Sequence, residues 1–265
     1  MRYYVVDAFA KQVFGGNPAG VCVLEQPLEA ESMQQIASEN NLSETAFVYK
    51  REAGKYDLRW FTPKAEIDLC GHATLGTAYV IAHFVDPDVE KMEFDTCSGI
   101  LTVVKKGELL EMDFPSRMPE EIPVTEEMVQ ALGGQKIKAA YLSRDLILEL
   151  EDMEAVQQVT PDFARVLALK DGLGCVVTAQ GKDCDFVSRC FFPKLGVNED
   201  PVTGSAHSSL IPFWAKRLQK TEMTAEQLSA RGGVLVVADC GERVSIAGSA
   251  VLYLQGTLEV NISCK

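Results

Sequence analysis

The 265-residue sequence predicts an α+β fold of two similar domains, each a curved sheet wrapped around one buried helix. Three observations carry this expectation. One motif occurs twice at about half-length spacing, two helix-length segments are apolar on nearly every face, and short strand-like runs outnumber the helical ones. The first copy reads Phe61-Thr62-Pro63-Lys64, then Asp68-Leu69-Cys70-Gly71-His72-Ala73-Thr74. The second reads Phe192-Pro193-Lys194, then Glu199-Asp200-Pro201-Val202-Thr203-Gly204-Ser205-Ala206. The offset is 130 residues between Pro63 and Pro193 and 133 between Gly71 and Gly204. Each copy runs apolar strand, Pro-Lys turn, acidic residue, Gly-containing turn, apolar helix. Such a repeat implies two like domains facing each other.

The elements follow in order. Tyr3 to Ala8, Gly20 to Leu24, Thr45 to Lys50 and Tyr56 to Phe61 have the β-branched and aromatic character of strands. Glu29 to Asn41 reads as a helix with Met33, Ile36 and Ala37 on its apolar side, closed by Asn40-Asn41 because Asn tolerates a left-handed cap. Cys70 to Phe84 is apolar all round, the mark of a core helix. Its counterpart runs from Gly204 to Leu218. Strands are expected at Lys91 to Thr96, Gly99 to Lys105 and Leu109 to Phe114. The three prolines between Phe114 and Pro123 suggest a linker, dividing the chain into domains 1–115 and 116–265, with the last strand able to cross back to the first. In the second half, helices are expected at Glu126 to Leu132 and Pro161 to Leu169. Strands are expected at Ala139 to Leu142, Leu146 to Leu150, Gly174 to Thr178 and Cys184 to Phe192. Val234 to Val237, Arg243 to Ala247 and Ala250 to Ile262 would close that sheet.

Composition narrows the function. A hydrophobic content of 47% supports real cores, and no run approaches the roughly 20 apolar residues of a membrane helix. Met1 to Asp7 lacks a signal-peptide pattern and reads as a first strand, so a cytoplasmic protein with no membrane partner is expected. A net charge of −13 without any basic run argues against nucleic acid, whose binding requires clustered Lys and Arg. The eight cysteines form no Cys-x-x-Cys pair; most are expected to be reduced and buried. Only His72, His83 and His207 could join them as ligands, so no metal is expected. No Walker-type loop and no Gly-x-Gly-x-x-Gly fingerprint occurs, so no nucleotide cofactor is expected either.

What the repeat does offer is two helix N-termini, at Gly71-His72 and at Gly204-Ser205. Unpaired amides and the helix dipole there suit an anion such as a substrate carboxylate. Ionisable residues beside them could move a proton on the bound molecule.

Four motifs in order sharpen this: Asp7-Ala8-Phe9 with Gly16-Asn17-Pro18-Ala19-Gly20, Ser43-Glu44-Thr45-Ala46-Phe47, Cys70-Gly71-His72-Ala73-Thr74, and Glu199 to Ser205. Together they closely resemble the phenazine-biosynthesis (PhzF-like) isomerase family, over essentially the whole chain. The resemblance implies a diaminopimelate epimerase-like fold: two pseudo-symmetric domains, each a curved mixed sheet around a central buried helix, with the active site in the interdomain cleft. It implies a cofactor-independent homodimer acting on a small carboxylate-bearing substrate similar to trans-2,3-dihydro-3-hydroxyanthranilate. It makes Glu44 the general acid/base, His72 a substrate ligand or proton-network member, and Asp200 an orienting group. Cys70, Gly71, Thr203, Gly204 and Ser205 would line the substrate site. In isolation, Ser-Glu-Thr would mark a cap, Asp-Pro a turn and Ser205 a simple helix cap. Asn17, after paired glycines, reads as shaping its loop. Epimerases of this fold use two opposed cysteines; Cys70 stands at the first position, but Thr203 stands at the second, and a hydroxyl is far too weak an acid to replace a thiol. One-base isomerisation by Glu44 is therefore preferred. The alternatives are an amino-acid or hydroxy-acid epimerase using Glu44 and Cys70, or a small-metabolite binder without turnover.

Overall fold

The computed structural model describes residues 1–260. The chain divides into two compact units, residues 1–113 with 247 onward, and residues 114–246.

The first unit opens with β1 (Arg2–Ala8) and β2 (Asn17–Leu24), continues through α1 (Ala30–Asn40), β3 (Glu44–Glu52), β4 (Lys55–Phe61) and β5 (Glu66–Ile67), and reaches α2 (Gly71–Val80). β6 (Lys91–Thr96), β7 (Gly99–Lys106) and β8 (Leu109–Pro115) follow. In the second unit β9 (Glu120–Ile122) precedes α3 (Glu126–Ala131), β10 (Ala139–Leu142) and β11 (Leu146–Glu149). Next come α4 (Met153–Gln158), α5 (Phe163–Ala168), β12 (Cys175–Gln180), β13 (Phe186–Phe192) and β14 (Val197–Asp200). α6 (Gly204–Leu218), β15 (Glu222–Gln227), β16 (Gly233–Asp239) and β17 (Arg243–Gly248) complete it, and β18 (Ala250–Thr257) returns to pair with β1 in the first unit.

The two units share one pairing grammar. In the first, β1–β2 is antiparallel, β2–β3 parallel, β3–β4 antiparallel, β4–β6 parallel and β6–β7 antiparallel. In the second, β10–β11, β11–β12, β12–β13, β13–β15 and β15–β16 repeat that series of senses. Parallel neighbours need crossovers, and the crossovers correspond: α1 answers to α4 and α5, and α2 answers to α6. Both central helices are buried along nearly their whole length. Burying every face of a helix requires a sheet that curves around it, so the all-apolar sequences of α2 and α6 fit these places.

Local chemistry explains the boundaries. Asn41 closes α1 in the left-handed conformation, φ 50°. The first central helix is shorter than its apolar run: after Val80 it widens into a π-helical turn at Ile81–Val85, where the Asp86 amide reaches Ile81 O at 2.8 Å. That turn lets Phe84 stack on Tyr4 with ring centroids 5.1 Å apart. The expected linker carries structure too, since β9 pairs with β10; Pro119 and Pro123 bracket it, and prolines are tolerated beside a short edge strand. Besides β5 and β9, three elements go beyond the sequence expectations. In β15 the buried positions, Met223, Ala225 and Gln227, keep strand alternation without β-branched residues. The other two are β14 and α4, the latter capped by Asp152, which accepts the Ala155 amide at 2.8 Å. The last strand ends at Thr257, and Ile262 lies outside the described residues. Of the described cysteines, Cys22, Cys70, Cys175 and Cys190 are buried, Cys184 is half-buried, and Cys97 and Cys240 are exposed. No described helix is long and apolar enough to cross a membrane.

Candidate active site

In the first unit, backbone register gathers the candidate residues. β2 and β3 run parallel with Ala19 opposite Glu44, so the strand beginnings that carry Asn17 and Glu44 lie side by side. Gly16 makes the approach possible: at φ +62° it packs against the end of β1, and a Cβ there would sit 2.1 Å from the Ala8 carbonyl oxygen. On the other side of Glu44, the Asn40 carboxamide donates to Thr45 Oγ1 at 3.3 Å and ties the end of α1 to the start of β3. Helix α2 packs across β1, β2 and β3, and its first turn delivers Cys70, Gly71 and His72 to the same end.

The side chains form a chain centred on His72. Glu44 Oε2 lies 3.1 Å from His72 Nε2. On the opposite edge of the ring, Asn17 Nδ2 lies 3.1 Å and Cys70 Sγ 3.6 Å from Nδ1. Asn17 is 0% exposed and His72 4%, while the Glu44 side chain retains 14%. The carboxylate is therefore the member of the chain with most access to a small molecule. Burial works against charge on His72, but the adjoining Cys70 sulfur and Glu44 carboxylate outweigh it and raise its basicity well above the ordinary value. Burial lifts the Cys70 thiol above its usual range, against the pull of the adjoining His72 ring.

Glu44, Cys70 and His72 also bring one donor atom each within 4.8 Å of one another, a grouping that the sequence spacing does not reveal. An ion shared by all three would have to use a single ring nitrogen. Here Glu44 faces Nε2 while Cys70 faces Nδ1, and Nδ1 already meets Asn17. The arrangement fits a line of polar contacts through the imidazole, Nδ1 toward Asn17 and Cys70 and Nε2 toward Glu44, and does not fit a ligand set for one ion.

The second unit gathers the other candidates at the start of α6. Thr203, not Ser205, is the residue at the helix N-cap, and its side chain caps no helix amide. Instead Thr203 Oγ1 donates to Asp200 Oδ2 at 2.5 Å. Buried Gln227, from β15, holds this turn on two sides: Oε1 accepts the Thr203 amide at 2.8 Å, and Nε2 donates to the Asp200 carbonyl at 2.7 Å. Gly204 is buried and Ser205 half-buried in the first turn. His207 Nδ1 lies 2.8 Å from the Thr203 carbonyl. Burial pushes the His207 ring down to about 4, against that hydrogen bond. Glu199 is engaged elsewhere, in a two-pronged pair with Arg189 at 2.7 and 3.0 Å.

Each unit thus assembles its own share of the expected residues: Glu44, Cys70, Gly71 and His72 in one, Asp200, Thr203, Gly204 and Ser205 in the other. Two participants go beyond the sequence expectations. Asn17 does more than shape its loop, since it contacts His72 directly. Gln227 lies 24 residues from Thr203, in a strand that the sequence does not announce, and nothing local signals the pair.

Comparison with known proteins agrees with this architecture. A protein from Pseudomonas aeruginosa named as an uncharacterized isomerase is 49% identical over 260 residues, covering 98% of this chain and 99% of that one. The crystal structure of a phenazine biosynthesis protein of the PhzF family from Enterococcus faecalis superposes with a TM-score of 0.95 at 53% identity, covering 98% of this chain and 99% of that one. A probable proline racemase from Agrobacterium radiobacter shares the fold alone, with a TM-score of 0.67 at 9% identity, over 98% of this chain and 93% of that one. The family model described as phenazine biosynthesis-like protein (PhzC-PhzF) matches residues 6–256, and the chain belongs to that family.

Proposed function

We propose that this protein is an isomerase that moves a proton on a small carboxylate-bearing substrate, with Glu44 as the general acid/base. The observation that carries the reading is the half-enclosed Glu44 carboxylate standing 3.1 Å from the buried His72 ring. Membership in a family whose relatives include a named isomerase supports the reaction class. In the proposed step, Glu44 takes a proton from a carbon beside an unsaturated or carbonyl group. The electron pair of the broken C–H bond spreads into that conjugated system. The same carboxyl group then returns the proton at another carbon, so that a double bond shifts and no oxidant is needed. His72 steadies the carboxyl group between its two states. In this proposal, backbone amides near Gly71 and near Gly204-Ser205 receive carboxylate oxygens, and Asp200 with Thr203 orients the polar substituent.

The epimerase alternative is less well supported. Cys70 is a buried thiol with raised pKa, and Thr203 stands where an opposed thiol is required. Cys190 beside Thr203 offers no substitute, because burial lifts its thiol well above the ordinary value.

The test is deuterium uptake in heavy water, with trans-2,3-dihydro-3-hydroxyanthranilate and a panel of small amino and hydroxy acids, read by mass spectrometry and chiral separation. Uptake with relocation of a double bond is the expected result. Uptake that only interconverts stereoisomers would favour the epimerase, and binding without uptake would favour a metabolite binder.

A further inference from the structure

The sequence treats Asn17 as part of a turn, yet it is fully buried and its side chain meets the ring at the centre of the site. A neutral imidazole carries one proton, and the groups around it decide which nitrogen keeps it. Three elements bring polar groups to this ring. At Nδ1 stand two groups with hydrogens to give, the Asn17 Nδ2 amide at 3.1 Å from β2 and the Cys70 thiol at 3.6 Å from the start of α2. At Nε2 stands a group that accepts, the Glu44 carboxylate from β3. The other buried carboxylate nearby, Asp7 of β1, accepts the Phe14 amide at 2.8 Å. Donors on one edge and an acceptor on the other select one tautomer.

We propose that Asn17 is a positioning residue that fixes the tautomer of His72: its amide N–H, aimed at Nδ1, keeps the ring proton on Nε2, where it faces Glu44. The consequence for the reaction rests on the role given above to Glu44. A proton held on Nε2 faces Glu44 Oε2, close enough at 3.1 Å to attract the ionised carboxylate although the two are not aligned as a hydrogen bond, and leaves Oε1 as the oxygen that takes the substrate proton. With the opposite tautomer, Nε2 would present a lone pair to the carboxylate, repelling its ionised form and competing for the proton it has taken. The Gly16 turn and the pairing of Asn17 with Ala8 fix the backbone from which the carboxamide projects.

The experiment is long-range nitrogen–proton NMR on protein labelled with 15N-histidine. The chain has three histidines, so His72→Gln and His207→Gln suffice to assign the signals. His207, with Nδ1 against a carbonyl oxygen, must hold its proton on Nδ1 when neutral and serves as an internal contrast. Expected for His72, once pH exceeds its raised titration, is a neutral form protonated at Nε2, opposite to His207. In Asn17→Asp, of nearly the same shape, the acceptor oxygen now facing Nδ1 moves the proton there and shifts the ring's titration to higher pH. Deuterium exchange into substrate by Asn17→Asp then falls by about 10²-fold, in kcat rather than KM. A neutral wild-type ring protonated at Nδ1, or one doubly protonated throughout the stable pH range, would overturn the proposal without any substrate being involved. An unchanged tautomer in folded Asn17→Asp would overturn it as well. Failure of the wild type to exchange any substrate would instead strike the proposed function and leave the tautomer assignment standing.

Discussion

The starts of helices α2 and α6 are built on one plan and furnished differently. Both N-caps, Cys70 and Thr203, have extended backbone and cap no amide with their side chains. Both helices carry a buried histidine. At α2 that histidine meets a carboxylate, and its basicity rises; at α6 it meets a carbonyl, and burial drives it down to about 4. The strand that enters after the crossover begins with Glu44 in the first unit, but in the second it begins after Gly174. There a Cβ would lie 2.2 Å from the Phe192 ring, so no side chain, acidic or otherwise, fits. The frame occurs twice, and packing allows a side chain at the position of Glu44 in the first copy only. The second start is a clamp of hydrogen bonds, with Gln227 at its centre and Asp200 tied to Thr203.

The difference can be broken at either end. Short of removing Glu44 itself, the largest effect is expected from His72→Phe, which removes the partner of Glu44; exchange into substrate should fall by about 10²- to 10³-fold, and the buried Asn17 amide, left without its acceptor, should cost about 1–3 kcal/mol of stability. His207 should instead govern acid stability. Its ring is pushed down to about 4 in the folded protein from 6.5, so between these values the unfolded chain binds the extra proton. Stability is then fully present above about pH 6.5 and is lost as pH falls through 4, by about 3 kcal/mol in all. Urea titrations across that window check this, and His207→Gln should flatten the slope. Gly174→Ala should destabilise by about 1–3 kcal/mol through overpacking against Phe192, which would show why the second unit carries no side chain there. The smallest effect belongs to Gln227→Met: leaving the Thr203 amide buried without its acceptor should cost about 1–2 kcal/mol, with faster hydrogen exchange at the start of α6.

How much of this is legible in the sequence follows from the range of the interactions. The α+β class, both central helices and the repeat are legible because burial on all faces and strand alternation are local patterns. The span Gly204–Leu218 matches its expectation to the residue because a Gly turn and a left-handed Gln219 bound it. The end of α2 does not, since the π-helical turn depends on Phe84 finding Tyr4, 80 residues away. Motifs are enough to name Glu44, His72 and Cys70, but not their order around one imidazole, because that depends on the parallel register of β2 and β3. Gln227 is invisible for the same reason: a buried amide in a strand of Ala and Glu gains meaning only from the turn it holds.

The most direct test of this division of labour compares deuterium exchange by Glu44→Gln and Thr203→Val at saturating substrate. The account predicts that Glu44→Gln abolishes exchange while substrate still binds, and that Thr203→Val weakens binding but keeps most of the turnover. Exchange that survives in Glu44→Gln and is lost in Thr203→Val would contradict it.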